Sequence, residues 1–290
     1  MGKLRFSGHE SFHCRHFWLK KGYEFNERHQ GVYSIDDAVV ELGVGKNMVS
    51  AIDFWLKAFG VKDEDKNLTE LGQKLIGEGG FDPYLEDVGT LWLLQYSLLS
   101  TNFASIYKLI LSDYRRARVS NEFNKNQIKN FLSRRLDGNR QTPYNENTAN
   151  TDIKVFLKNY LPPEKKMESI EDDFSSLFID LGILSQKVVH DGEEPTYKFL
   201  VNDRQEIPTL VFLFAILDSF EDDASSISFS KISDRLRDVF MITSDGIEKK
   251  LMEIVEQFPK SAYKGDGGRK ELQLKGCGTK WDVLKTYYHG

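Results

Sequence analysis

Two histidines and a glutamate stand in one short run, His9-Glu10-Ser11-Phe12-His13, with Cys14 and His16 just after it. The pattern H-E-x-x-H binds zinc when it lies on a helix. Residues i and i+4 then share a face, and the glutamate can activate a metal-bound water. Here Phe6-Ser7-Gly8 leads directly into the run, little helix is expected there, and no third ligand stands out downstream. The stretch reads instead as a turn: Phe6, Phe12, Phe17, Trp18 and Leu19 pack, while His9 and Glu10 hydrogen-bond. No metal site is assigned.

Other familiar chemistries are absent. Gly43-Val44-Gly45-Lys46-Asn47 contains Gly-Lys but lacks the spacing of a phosphate loop, and it follows a helical pattern where that loop needs a strand. No Gly-x-Ser-x-Gly elbow occurs. Cys14 and Cys277 are the two cysteines, too few and too far apart for a disulfide framework or a four-cysteine zinc site. Asp82, Glu86 and Asp87 cluster beside Pro83. Such acids could hold Mg²⁺ in a nuclease, or serve as ordinary acids at a helix N-terminus. The weak catalytic candidates are therefore His9, Glu10, Asp82, Glu86 and Asp87. Mg²⁺ is the cofactor a nicking activity would call for.

The net charge of -5 argues against a nucleic-acid partner, but the average hides blocks of charge. Residues 103–166 carry 13 basic and 6 acidic groups, net +7, and residues 167–224 carry 3 and 14, net -11. Such asymmetry suits phosphate contact on one surface and another role elsewhere. Solvated faces of surface helices are the alternative. Arg115, Arg116, Arg118, Arg134 and Arg135 are the expected phosphate contacts, and Arg15, Lys62 and Lys66 add cations in the first 80 residues.

The elements that would position these groups begin at Ser34, which can cap a helix opening Ile35-Asp36-Asp37. Gly43-Val44-Gly45 stops that helix. A second helix is expected from Lys46 to Ala58, with Met48, Val49, Ile52, Trp55, Leu56 and Phe59 on one face and Lys46, Asn47, Ser50 and Asp53 outward. Helix, glycine turn, helix is a helix-turn-helix, whose second helix enters the major groove. Residues 60–69 read as a hairpin wing, and Thr69 caps a helix ended by Gly77.

Residues 81–166 read as mostly helical, with an apolar helix from Asp87 to Leu99 and further helices over 104–114, 126–136 and 152–161. Residues 137–150 read as a polar loop, and Pro162-Pro163 marks a boundary. Beyond it a helix over 170–181, a hairpin over 184–200, helices over 210–220, 228–240 and 246–258, and a hairpin over 263–274 repeat a winged-helix order. The expected fold class is mainly α with small β-hairpins (α+β). It comprises an N-terminal winged helix-turn-helix domain (1–80), a helical domain (81–166) and a C-terminal winged-helix-like domain (167–290).

Composition agrees with a globular chain: 290 residues, 40% hydrophobic and 29% charged. No uncharged apolar run approaches the roughly 18 residues of a membrane span, and Met1-Gly2-Lys3-Leu4-Arg5-Phe6 has no signal core, so a cytoplasmic location is expected.

One resemblance sharpens this. Phe6-Ser7-Gly8-His9-Glu10-Ser11-Phe12, Arg15 and Trp18-Leu19-Lys20-Lys21-Gly22 resemble the opening signature of a bacterial family of unknown function. The likeness continues through Ala38 to Val49, Trp55-Leu56, Leu68-Thr69, Phe81 to Asp87 and Thr90 to Leu94, and is loose in the C-terminal half. That family looks like SspB, a component of bacterial DNA phosphorothioation cassettes, which replace a non-bridging phosphate oxygen with sulfur in phage defence. The resemblance implies a DNA-acting protein with a nicking role, double-stranded DNA as partner, and an ATPase, an ATP pyrophosphatase and a cysteine desulfurase as further partners. It places no catalytic residue here, and the position of His13 is usually not histidine in that family. The competing reading is a non-enzymatic winged-helix adaptor or transcriptional regulator.

Overall fold

The computed structural model describes residues 4–163, 176–187, 194–220, 226–266 and 269–290. It is mainly helical with two small three-stranded antiparallel sheets, an α+β chain as expected. The chain forms two compact units, residues 1–86 with 97–200, and residues 87–96 with 201–290. The divisions expected at 80/81 and 166/167 differ from these, because residues 81–86 and 97–200 belong with the N-terminal segment.

In the first unit, helices α1 (Trp18–His29), α2 (Ile35–Leu42) and α3 (Lys46–Ala58) pack on one another. Ser34 caps α2 through the Asp37 amide, and Gly43 ends it at φ 64°, a left-handed conformation that costs glycine little. The apolar stripe of α3, from Val49 to Leu56, is buried as its spacing predicts. The helices come so close that a Cβ on Gly22 would lie 2.6 Å from Ile52 Cγ2. The expected wing contracts to one antiparallel bridge, Lys62 to Leu68. Thr69 then caps α4 (Glu70–Ile76) by accepting the Gly72 amide.

Helix α5 (Val88–Thr101) contributes its last turn to this unit. Helix α6 (Ser105–Lys108) runs into a π-helical turn, Leu109–Tyr114, a form that is rare and frequent at functional sites. Helix α7 (Lys125–Leu136) opens on a capping box of Asn124 and Gln127. Helix α8 (Glu146–Tyr160) begins six residues before the expected start, because the Asn145 side chain caps it at the Thr148 amide. The strands β1 (Glu122–Phe123), β2 (Leu184–Gln186) and β3 (Tyr197–Phe199) form a sheet in the order β1-β3-β2. The turn expected at 190–192 and the first half of the helix expected over 170–181 lie outside the described residues; Ile179–Leu181 is a 3₁₀ turn closed by Gly182.

The second unit is built on α9 (Thr209–Ser219), apolar nearly all round and packed against α12 (Lys280–His289). Between them come β4 (Ile227–Ser228), α10 (Phe229–Leu236), α11 (Ser244–Gln257), β5 (Ala262–Asp266) and β6 (Arg269–Gln273). The strand order is β4-β6-β5, so the first short strand joins the returning arm of the hairpin. The first residues of α5 belong here. Gln95 donates to the Val239 carbonyl, Tyr96 to Asp218, and Thr90 shares a hydrogen bond with Tyr288. Among the described residues, no helix is long and apolar enough to cross a membrane.

Candidate nucleic-acid interface

Helix α3 follows α2 across the turn at Gly43–Gly45, and its first turn opens on two solvent-facing side chains. Lys46 and Asn47 are exposed, and Ser50 sits one turn on, its hydroxyl donating to the Lys46 carbonyl at 3.4 Å. This turn carries a lysine and no acid, whereas α2 and α4 begin with acids. A cation there opposes the helix dipole and adds to the positive potential of the free amides. Lys66, at φ 72° in the contracted wing, is also exposed.

Lys62 must be corrected. Its side chain is 1% exposed, and its ammonium is held by Asn26 and, at 2.7 Å, by Asp53. A lysine anchored inside the unit cannot meet a phosphate. Asp53, expected outward, turns back to pair with Lys62 and with Lys57, also at 2.7 Å. Burial raises its carboxyl pKa, but the bonds and charges of the two lysines outweigh that and hold it below the ordinary value. Arg15 is half-buried, its guanidinium 5.4 Å from the Trp18 ring centre, and its backbone bridges to Ser176.

The arginines of the basic block gather at the ends of two helices. Arg115 follows the π turn, half-buried, with Nε donating to the Leu111 carbonyl. Arg116 and Arg118 are exposed, and Arg118 lies 5.4 Å from the centre of the Tyr114 ring. Burial pushes the Tyr114 phenol up, and Arg118 opposes the shift. Arg134 and Arg135 end α7, and Arg135 reaches Asp113 of the π turn at 3.3 Å. That pair brings the end of α7 against the π turn that Arg115 follows.

The zinc-like run is a turn. Glu10 and Ser11 have φ of 49° and 67°, so His9 and His13 do not share a helical face. Glu10 is exposed, while His9 is 2% exposed. The His9 ring lies 6.2 Å from that of Trp55 with planes 17° apart, and its Nε2 meets Asp152 Oδ1 at 3.1 Å. The Ser7 amide donates to both Asp152 oxygens, and the Trp55 indole donates to the Phe12 carbonyl. Asn159 continues the network, accepting the Cys14 amide and donating to the Tyr107 hydroxyl. Burial pushes the Cys14 thiol well up, so it stays neutral and no nucleophile. Asp152 and Asn159 were not singled out in the sequence. Their spacing, two polar residues seven apart among Ile153, Phe156 and Tyr160, was the available signal.

Two of the acids near Pro83 are occupied locally, while Glu86 is exposed. Asp82 Oδ1 accepts the Glu86 amide, and Asp87 Oδ1 accepts the amides of Gly89 and Thr90 and the Tyr287 hydroxyl at 2.7 Å. Asp87 is thus the cap of α5. No group of three or more His, Cys, Asp or Glu side chains among the described residues stands where it could hold a metal ion.

A family designated DUF4007, described as a protein of unknown function, matches residues 6–288. The chain belongs to this family. Two solved structures resemble it closely. One, a magnesium ion-bound SspB crystal structure, is 27% identical, with a TM-score of 0.82 over 98% of this chain and 87% of that one. The other, an SspB crystal structure, is 26% identical, with a TM-score of 0.81 at the same coverage. No curated protein matches by sequence. The match extends through the C-terminal half, where the sequence signature of the family is weakest.

Proposed function

We propose that this protein is the DNA-binding component of a bacterial DNA phosphorothioation system, acting on duplex DNA in the cytoplasm. The observation that carries the reading is the first turn of α3. It is exposed, cationic and free of acids, and it stands at the end of a glycine turn in a compact three-helix pack. Kinship with SspB supports the phosphorothioation role and association with other proteins of such cassettes: an ATPase, an ATP pyrophosphatase and a cysteine desulfurase. In this reading residues 1–80 work as a winged helix-turn-helix, with Lys46, Asn47 and Ser50 toward the groove and Lys66 at the wing. Arg15, Arg115, Arg116, Arg118, Arg134 and Arg135 supply backbone contacts from that segment and the helical segment after it. The strand order of the second unit suits a second winged helix.

A specific observation favours the adaptor reading for the second unit. The lysines of α11 are engaged, Lys249 with Asp203 and Lys250 with Glu253, and Lys270 of β6 is held by Glu248 at 2.6 Å. A helix whose cations are neutralised is poorly suited to a phosphate backbone. Nicking belongs to the first reading, and a metal-dependent nicking assay on the purified protein separates an enzyme from an adaptor. Binding itself is tested by anisotropy of a labelled duplex across a salt series. Affinity that falls steeply with salt supports the DNA reading, because each neutralised phosphate releases counterions. Binding absent at low salt, or unchanged by salt, overturns it.

A further inference from the structure

The polar segment between α7 and α8 folds around a cleft of about 490 Å³, whose walls include Arg134, Asp137, Asn139, Arg140, Pro143 and Tyr144. The segment is tied down: Thr142 Oγ1 accepts the Leu4 amide at 3.2 Å and donates to the Leu4 carbonyl at 3.0 Å. Two independent observations mark the cleft.

The first is charge. Lys129 is neutralised by Glu146 and Arg135 by Asp113, each at 3.3 Å. Arg134 and Arg140 are exposed and enter no ion pair among the described residues. Arg134 Nε donates to the Asn130 carbonyl at 3.2 Å, which leaves the outer nitrogens of its fork for other acceptors. One carboxylate, Asp137, faces two guanidiniums across the walls. The second observation is an unmatched donor. Asn139 Oδ1 accepts the amides of Gln141 and Thr142, at 3.0 and 3.1 Å, which fixes its side chain. Its Nδ2 is buried and finds no acceptor among the described residues. A buried donor without an acceptor is unfavourable, and it marks this turn as held in a costly conformation.

We propose that this cleft grips a phosphate of a nucleic-acid strand, with Arg134 and Arg140 as the charged fork over the turn that Asn139 holds. Tyr144, half-exposed on the wall, offers a ring against which the adjoining sugar or base rests. Guanidiniums suit this task because their planar donors match two oxygens of a phosphate at once. The inference rests on the DNA reading and adds the place where the backbone is held.

The test compares wild type with the paired variant Arg134→Ala/Arg140→Ala in duplex binding, with Lys154→Ala/Lys158→Ala as a control that removes the same charge from exposed sites on α8. Melting of each variant should match wild type, since all four side chains are exposed. The arginine pair should weaken binding about tenfold or more and flatten the salt slope by about 1. The lysine pair should change affinity less than about twofold. Equal losses from both pairs would show a bulk charge effect and overturn the cleft. An unchanged affinity in the arginine variant, with wild type binding, would overturn the cleft and leave the DNA reading standing. If wild type binds no duplex at low salt, the DNA reading falls, and inorganic phosphate and 5′-dAMP are titrated against the Asn139 side-chain amide resonance. A saturable shift, lost in the arginine variant, supports a phosphate site; no shift overturns it.

Discussion

The ammonium of Lys62 lies 2.7 Å from Asp53 Oδ1, inside the three-helix pack that presents the first turn of α3. Lys62, which also bridges to Leu68, is thus an internal strut from the segment after α3 back to that helix. Lys62→Ala should lower the unfolding free energy by about 2 kcal/mol. That is less than for a fully buried pair, because Asp53 is 30% exposed and keeps Lys57. Lys62→Met, which keeps the packed stem, should cost less. Urea denaturation measures both, and a Lys62→Ala midpoint equal to wild type would refute the strut.

The same pair sets a pH dependence. The folded-state pKa of Asp53 lies below its ordinary value, so the carboxylate stabilises the fold above the usual aspartate range. That contribution is lost as the pH falls through the lowered value. Melting temperature followed downward from pH 6 should fall, and Asp53→Asn should be flatter over the acid end of the series. Parallel curves would remove Asp53 from the account.

The buried pair of His9 and Asp152 predicts a structural role for the opening signature. Asp152→Ala removes the acceptor of His9 and of the Ser7 amide together, and should cost about 3 kcal/mol. A chelator should leave the melting temperature of wild type unchanged, because the His9 Nε2 that would bind zinc is directed at a carboxylate. One tightly bound zinc per chain, lost in His9→Ala, would reverse this.

Asn47 and Lys46 should separate two kinds of DNA contact. An amide at the start of a recognition helix can pair bidentately with adenine, worth about 1–3 kcal/mol of discrimination. Asn47→Ala should therefore relax sequence preference more than it lowers non-specific affinity, while Lys46→Ala should weaken binding to all sequences. Both side chains are exposed, so melting should be unaltered. If binding and its sequence preference survive both changes, α3 is not the reader.

Much of the first unit was legible in the sequence because its signals are local. Ser34, Gly43 and Thr69 end or begin helices where their side chains or backbone freedom demand it. The apolar stripe of α3 gave its buried face directly. What escaped depended on distant partners. Strand β1, two residues long, exists because Phe123 meets Tyr197 across the sheet. Helix α12 went unread, yet it closes the second unit through the Tyr287 and Tyr288 hydroxyls. Lys62 looked like a surface cation because periodicity reports which face a residue shares, not whether an aspartate nine positions back will draw it inward. Asp152 was hidden for the same reason, its partners lying more than 140 residues away in sequence.

Helix α5 is one continuous element, yet Asp87–Tyr96 belongs to one unit and the residues from Ser97 onward to the other. During synthesis, Trp92 and Tyr96 therefore emerge about a hundred residues before Val201, where the rest of their unit begins. At bacterial translation speeds that is a wait of roughly 5–20 s with large aromatic surface uncovered. A nascent chain of this protein should be a chaperone client over that interval. A fragment ending at residue 200 would retain the same sticky turn permanently, and removing the whole second unit would need a further cut inside α5, between Tyr96 and Ser97.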